Sequence, residues 1–252
     1  MNDKTAFRFT DSYLENYTAY KEHWNYEDGC VLIGCQDLYE ATGDEKYFDF
    51  IRNYVDARVN EKGEITNYQS GEHAIDNILS GRISFLLYDK TGDEKYHMAA
   101  DFLKKELMDQ PRCKCGSFWH KDRYPNQVWL DGLYMAQPFY MEYETKFNQK
   151  EGYNDILQQF RTVREKLYHQ EKKLYFHAWD EAHVQPWADK KTGLSPNFWL
   201  RSEGWFLMAL IDTMDVMSIE LYEQYDQLQS IFKEAVRGIL PYRDLKTNLF
   251  YQ

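Results

Sequence analysis

The stretch Val128-Trp129-Leu130-Asp131-Gly132-Leu133 sets one carboxylate among bulky apolar residues, directly before a helical run. Asp is poor inside a helix and favourable in its first turn, where its charge meets the positive end of the macrodipole. Asp131 is therefore expected at a helix mouth, walled by Trp129 and Leu130. An apolar wall raises a carboxyl pKa, while the helix dipole lowers it. A second carboxylate nearby would tip the balance towards a proton held near neutral pH, the state a general acid needs. A first-turn Asp also suits a helix that does no chemistry. Spacing elsewhere in the chain has to decide.

The same spacing recurs. LYEATGDEKY at 38–47 returns as LYDKTGDEKY at 87–96, with eight of ten positions identical. Its Thr-Gly-Asp-Glu-Lys-Tyr part reads as a helix closed by Gly and a new helix opened by an acidic turn. Counting twelve residues back from Tyr39, Tyr88 and Tyr143 reaches Glu27, Asp76 and Asp131. Three successive units thus begin on an acid, and helices lining a ring would bring the three acids to one mouth. Trp24, Asn77, Trp129, Trp199 and Arg201 stand near these helix starts, where mere solvation does not call for them.

The elements that must hold these residues are helices. Apolar residues recur at three- and four-residue spacing through 31–39, 75–87 and 133–143, and no series of strands shows period-two alternation. Each unit reads as a helical hairpin followed by an aromatic loop: KGEITNY at 62–68, CGSFWHK at 115–121, KKLYFHA at 172–178 and TNLFYQ at 247–252. Such hairpins stack as a solenoid or close into a ring. The expected fold is all-α, one helical-toroid domain over residues 1–252.

Composition narrows the partners. A formal charge of −11 argues against nucleic acid. No apolar run approaches the roughly 18 residues of a membrane span. MNDKTAFRFTD holds no signal-type apolar core, and four cysteines show no disulfide spacing, so a cytoplasmic location is expected. Cys113-Lys114-Cys115 has no second ligand pair in sequence, and no metal site is expected. Aromatics make up 17% of residues and interleave with His, Asp, Arg and Asn in loops, a pattern suited to a polar ring such as a sugar.

AIDNILSG at 74–81, FWHKDRYPNQVWLDGLYMAQPF at 118–139, YFHAWD at 175–180 and WLRSEGW at 199–205 together resemble the unsaturated rhamnogalacturonyl hydrolases. That group is glycoside hydrolase family 105, related to the unsaturated glucuronyl hydrolases of family 88. The resemblance runs in matching order from about His23 beyond Trp205. It implies an (α/α)6 toroid, removal of an unsaturated uronic acid from an oligosaccharide end, and no cofactor or metal. It makes Asp131 the general acid and base and Asp76 the residue that binds the sugar and tunes Asp131. It sets His177 near the sugar, Trp199 and Trp205 as a stacking wall, and Arg201, with Lys121 a weaker match, at the substrate carboxylate. Where relatives commonly carry Arg-Gly-Asn-Gly-Trp, this chain has Arg201-Ser202-Glu203-Gly204-Trp205. The added charge of Glu203 is expected to bear on substrate preference.

A 4,5-unsaturated uronate is a vinyl ether, so one carboxyl that gives a proton and then takes one from water can serve both steps. Ordinary glycosidases use two carboxyls at the glycosidic bond. The residues leave two rivals open: an inverting glycosidase using Asp76 and Asp131, and a non-catalytic glycan-binding module. They also fit structural roles, with His177 packed in its loop, Arg201 paired to Glu203, Trp199 and Trp205 in the core and Lys121 solvated. A ring of six hairpins needs on the order of 300 residues. The chain is therefore expected to hold about four and a half hairpins, a C-terminally truncated ring whose open edge could self-associate.

Overall fold

The computed structural model describes residues 3–251, and helices dominate them; Met1, Asn2 and Gln252 of the expected 1–252 domain lie outside. Helix α1 (Asp3–Glu15) precedes four hairpins among the described residues: α2 (Tyr26–Thr42) with α3 (Glu45–Asp56), α4 (Arg82–Thr91) with α5 (Glu94–Asp109), α6 (Leu130–Lys146) with α7 (Tyr153–Leu167), and α8 (Leu200–Asp215) with α9 (Tyr222–Ile239). The all-α reading is correct, and the units begin beside Glu27, Asp76, Asp131 and Trp199 as the repeat implied. Four short strands lie in the loops. β1 (Gln127–Trp129) pairs antiparallel with β4 (Ala178–Asp180), and β2 (Tyr168–His169) with β3 (Leu174–Tyr175).

The repeated decapeptide builds the same corner twice. Gly43 and Gly92 both take φ 67°, a left-handed conformation that costs glycine little. Asp44 and Asp93 then cap α3 and α5 by accepting the backbone N–H of Lys46 and Lys95 at 3.2 and 3.1 Å. The shared residues therefore encode a turn and two caps.

One expectation about helix starts needs correction, that of Asp76. Helix α1 closes at Glu15. The chain after it wraps over the first turn of α2, where Asp28 is fully buried and accepts Tyr17 Oη, Tyr20 N–H, Asn25 Nδ2 and Tyr54 Oη. Burial pushes that carboxyl up, but its donors more than reverse this and leave it below the usual carboxylate range. Asp76, expected in the first turn of an α-helix, sits in a 3-10 segment, Ile75–Gly81, that leads into α4. The Asn77 carbonyl accepts Trp24 Nε1–H at 2.9 Å, and Ser80 Oγ donates to the Asn25 carbonyl at 2.6 Å. These bonds lash the segment sideways to the start of α2. Gly29 permits the approach, because a Cβ there would stand 2.2 Å from Ser80 Oγ.

Helix α6 is the axis of the described structure. It packs on α8 and on the Ile75–Gly81 segment, and buries residues from Leu130 to Glu144. A helix apolar nearly all round belongs in an interior. Its core partners include Leu79, Phe160 and Phe206, all at zero exposure. The first turn of this most enclosed helix carries Asp131.

Candidate active site

Four helix starts, one of them 3-10, and one loop meet at a cavity of about 330 Å³. Glu27 reaches it from α2, Asp76 from the 3-10 segment, Asp131 from α6, and Arg201 and Trp205 from α8. The loop after α5 adds His120, Lys121 and Arg123. The three acids that the repeat puts in phase therefore do share one mouth.

Asp131 is in the first turn of α6, directly after the extended Trp129, and its Oδ2 is buried without a hydrogen-bond partner. Burial pushes its carboxyl up to about 6. The charge of Asp76 adds to this, while its own backbone N–H and Arg201 oppose it. Near neutral pH this group can both hold and release a proton.

Asp76 is differently placed. Its Oδ2 lies 2.5 Å from Lys121 Nζ, and its Oδ1 lies 3.4 Å from His120 Nε2. A carboxylate enclosed in this way is an electrostatic fixture rather than a mobile base. Lys121, expected at the substrate carboxylate, is engaged with Asp76 instead. Arg201 has the freedom Lys121 lacks: it is exposed, forms no ion pair among the described residues, and lays its guanidinium 3.9 Å from the Trp199 ring centre.

Arg201 does not pair with Glu203. Two residues along a helix is a rotation of about 200°, so Arg201 and Trp205 face the cavity while Glu203 points away. Glu203 is 2% exposed and accepts the Tyr175 N–H at 2.6 Å. The added charge of Glu203 therefore does not line the Asp131 cavity.

Trp129 forms a partition. His120 stacks on it at 4.5 Å and 9°, Tyr124 at 5.1 Å and 19°. It also lines a second cavity of about 650 Å³, whose wall includes His177, Trp187, Phe198 and Trp199. His177 stands between the two, its Nδ1 3.4 Å from Asp131 Oδ2. Burial, then Arg201, holds its pKa below the usual histidine value.

Two predicted site residues fall elsewhere. Trp24 is 1% exposed, and its indole is committed to the Asn77 carbonyl, so it is a core residue. Asn77 contributes that carbonyl, and neither residue lines either cavity. Trp24 stands three residues before Glu27 and Asn77 directly after Asp76 in sequence, but their bond ties the start of α2 to the 3-10 segment.

Sequence reasoning missed His120 and Arg123. Burial pushes His120 down to about 4, so its ring is neutral against Asp76. Gly132 leaves it room, since a Cβ there would stand 3.1 Å from His120 Nδ1. Both residues flank Lys121 in FWHKDRYP, a run of polar groups between aromatics that was itself the signal.

Among the described residues, Cys113, Cys115 and Glu181 are the three that could hold a metal, with ligand atoms within 4.8 Å of one another. The Glu181 carboxylate already accepts the backbone N–H of Lys114 and Cys115 at 2.8 and 3.2 Å. Burial pushes the Cys113 thiol up, which disfavours the thiolate a metal requires. This cluster does not line the Asp131 cavity.

The chain is similar to several known proteins. The unsaturated rhamnogalacturonyl hydrolase YesR of Bacillus subtilis (strain 168) is 26% identical over 202 residues, which are 78% of this chain and 55% of that protein. This chain thus spans little more than half the length of that relative. A family 105 glycoside hydrolase from C. acetobutylicum ATCC 824 superposes with a TM-score of 0.91 at 39% identity, covering 96% of this chain and 67% of that one. The unsaturated glucuronyl hydrolase of Bacillus sp. GL1 has a TM-score of 0.61 at 16% identity over 91% of this chain and 60% of that one, a likeness of fold alone. The resemblance carried by the four motifs thus extends over 96% of this chain, and the Glycosyl Hydrolase Family 88 model matches residues 1–252. The chain belongs to glycoside hydrolase family 88, and its likeness is to the unsaturated rhamnogalacturonyl hydrolases of family 105.

Proposed function

We propose that this chain carries the catalytic groups of a hydrolase that removes a 4,5-unsaturated uronic acid from the non-reducing end of an oligosaccharide. The observation that carries this reading is the inequality of the two acids. Asp131 is half-buried, partnerless at its buried Oδ2 and raised to about 6, whereas Asp76 is enclosed by Lys121 and His120. An inverting glycosidase needs a second carboxyl able to activate water. Hydration of a vinyl ether needs one.

Asp131 donates its proton to C4, and the C4–C5 π pair forms the new C–H bond. The cation left at C5 is stabilised by the ring oxygen and by the fixed charge of Asp76. Water adds at C5 and gives its proton to the Asp131 carboxylate, restoring the acid. The C5 hemiketal then opens, and the hemiacetal formed at C1 releases the next sugar. Arg201 can offer two parallel hydrogen bonds to the uronate carboxylate. The aromatic cavity beyond Trp129 takes the rest of the saccharide, a rhamnose in a rhamnogalacturonan fragment.

The same reading puts the protein in the cytoplasm: no described helix is long and apolar enough to cross a membrane, and the four cysteines are free. Incubation with lyase-generated oligosaccharide tests the function. Loss of the ultraviolet absorbance of the double bond supports hydration. A saturated sugar released with the chromophore intact indicates a conventional glycosidase, and binding without turnover a glycan-binding module.

A further inference from the structure

Glu203 is a buried carboxyl that the proposed chemistry does not use. It is 2% exposed, and its Oε2 is buried without a hydrogen-bond partner. Its Oε1 accepts the Tyr175 N–H at 2.6 Å. Among the described residues no cation pairs with it. The titratable groups around it are Tyr168 and Tyr175 on the β2–β3 ribbon, Glu234 on α9 (paired to Arg164 of α7), and Tyr242 and Tyr251 across a small cavity. Burial pushes Glu203 up to about 7. A buried carboxyl with one oxygen unmatched gives little net stability, because the desolvation of that oxygen offsets the one good bond. Packing alone does not explain it.

What the bond joins is more specific. Tyr175 lies two residues before His177, whose carbonyl accepts the Leu130 N–H at 3.1 Å at the mouth of α6. The His177 ring stands 3.4 Å from Asp131 and edge-on to Trp199, with centroids 5.1 Å apart at 90°. Glu203 itself lies in the first turns of α8, just after Trp199 and Arg201. One side chain therefore links the His177 segment to the turn that carries the aromatic and cationic wall.

We infer that Glu203 is a positioning residue that sets the distance of His177 from Asp131 by tying the Leu174–His177 segment to α8. The inference rests on the hydrolase reading for its effect on turnover, but not for the tie itself. Glu203→Gln keeps an oxygen acceptor for the Tyr175 N–H, and Glu203→Met keeps the volume and removes the acceptor. Glu203→Met should lower kcat/KM by about tenfold and Glu203→Gln by no more than about twofold, while in a His177→Ala background Glu203→Met should cost less than about twofold. Equal losses from Glu203→Met in both backgrounds, or a Gln variant as impaired as the Met variant, would overturn the inference. Amide exchange reads the tie without substrate: protection at Tyr175 should fall about tenfold or more in Glu203→Met and persist in Glu203→Gln. Unchanged protection in the Met variant would also overturn it. Should wild-type protein show no turnover, the hydrolase reading fails, and the exchange measurement still decides the tie.

Discussion

His177 Nδ1 lies 3.4 Å from Asp131 Oδ2, yet both atoms are buried and neither has a hydrogen-bond partner. Burial moves the two groups in opposite directions, the carboxyl up and the imidazole down. Each is thereby pushed towards its neutral form, so the contact is not an ion pair at rest.

Replacing Asp131 should separate activity from stability. Asp131→Asn removes the proton donor and should lower turnover by at least about a thousandfold. The folded pKa of about 6 lies above the unfolded value of 3.8, so ionising Asp131 opposes folding. Its favourable contribution is complete below the unfolded pKa and is lost as pH rises through about 6. Asn cannot ionise. At pH 8 the variant should therefore unfold at higher denaturant concentration than wild type, by on the order of 2 to 3 kcal/mol. Denaturant titrations at pH 3 and pH 8 check this, with the gain confined to the higher pH.

The pH dependence of kcat/KM should show an alkaline limb. A general acid must be protonated in the free enzyme, so the rate should fall about tenfold per pH unit above about 6. The charge of Asp76 helps to hold that proton. Asp76→Asn should move the limb to lower pH as well as reduce turnover, because removing a negative neighbour lowers the Asp131 pKa. A limb that stays in place would separate Asp76 from the tuning role.

Arg201 should report on substrate binding. Arg201→Lys retains the charge but loses the paired donors, and should raise KM about tenfold with a smaller change in kcat. Trp24→Phe should behave differently. It removes the donor to the Asn77 carbonyl and should destabilise the fold by about 1 to 3 kcal/mol while leaving KM unchanged. Steady-state kinetics beside thermal melts distinguish the cavity residue from the core residue.

The helical hairpins, their corners and the phase of the three acids were legible because they are local. The Thr-Gly-Asp corner depends on one glycine in the left-handed region and one capping Asp, both visible in a decapeptide. The motif resemblance singled out Asp131, which lines the cavity, and burial among the bulky residues around it raises its pKa. Side-chain direction was not legible in the same way. Trp24 stands near Glu27 and Asn77 beside Asp76 in the chain, but a sideways bond from the Trp24 indole to the Asn77 backbone carbonyl commits Trp24 to the core. Glu203 followed Arg201 by two positions, and helix rotation alone would have put it on the opposite face. Lys121 was chosen over its neighbours His120 and Arg123, because sequence cannot show which cation a carboxylate has already taken.

Chelation should be without effect. Prolonged treatment with a chelator should leave turnover and melting temperature unchanged, since Asp76 is held by Lys121 and His120 and Glu27 by Lys21, which leaves Asp131 as a single open carboxyl rather than a set of ligands. A loss restored by a divalent ion would point instead to Cys113, Cys115 and Glu181.

Turnover in heavy water tests the central claim most directly. If Asp131 protonates C4 of an unsaturated uronate, the released uronic acid product must carry one solvent deuterium on C4, and Asp131→Asn must form none of it. Mass spectrometry and proton NMR of the product read this without reference to rate. A product with solvent deuterium at C4 supports vinyl ether hydration by this site. A released sugar with no deuterium at C4 and its double bond intact would contradict the account.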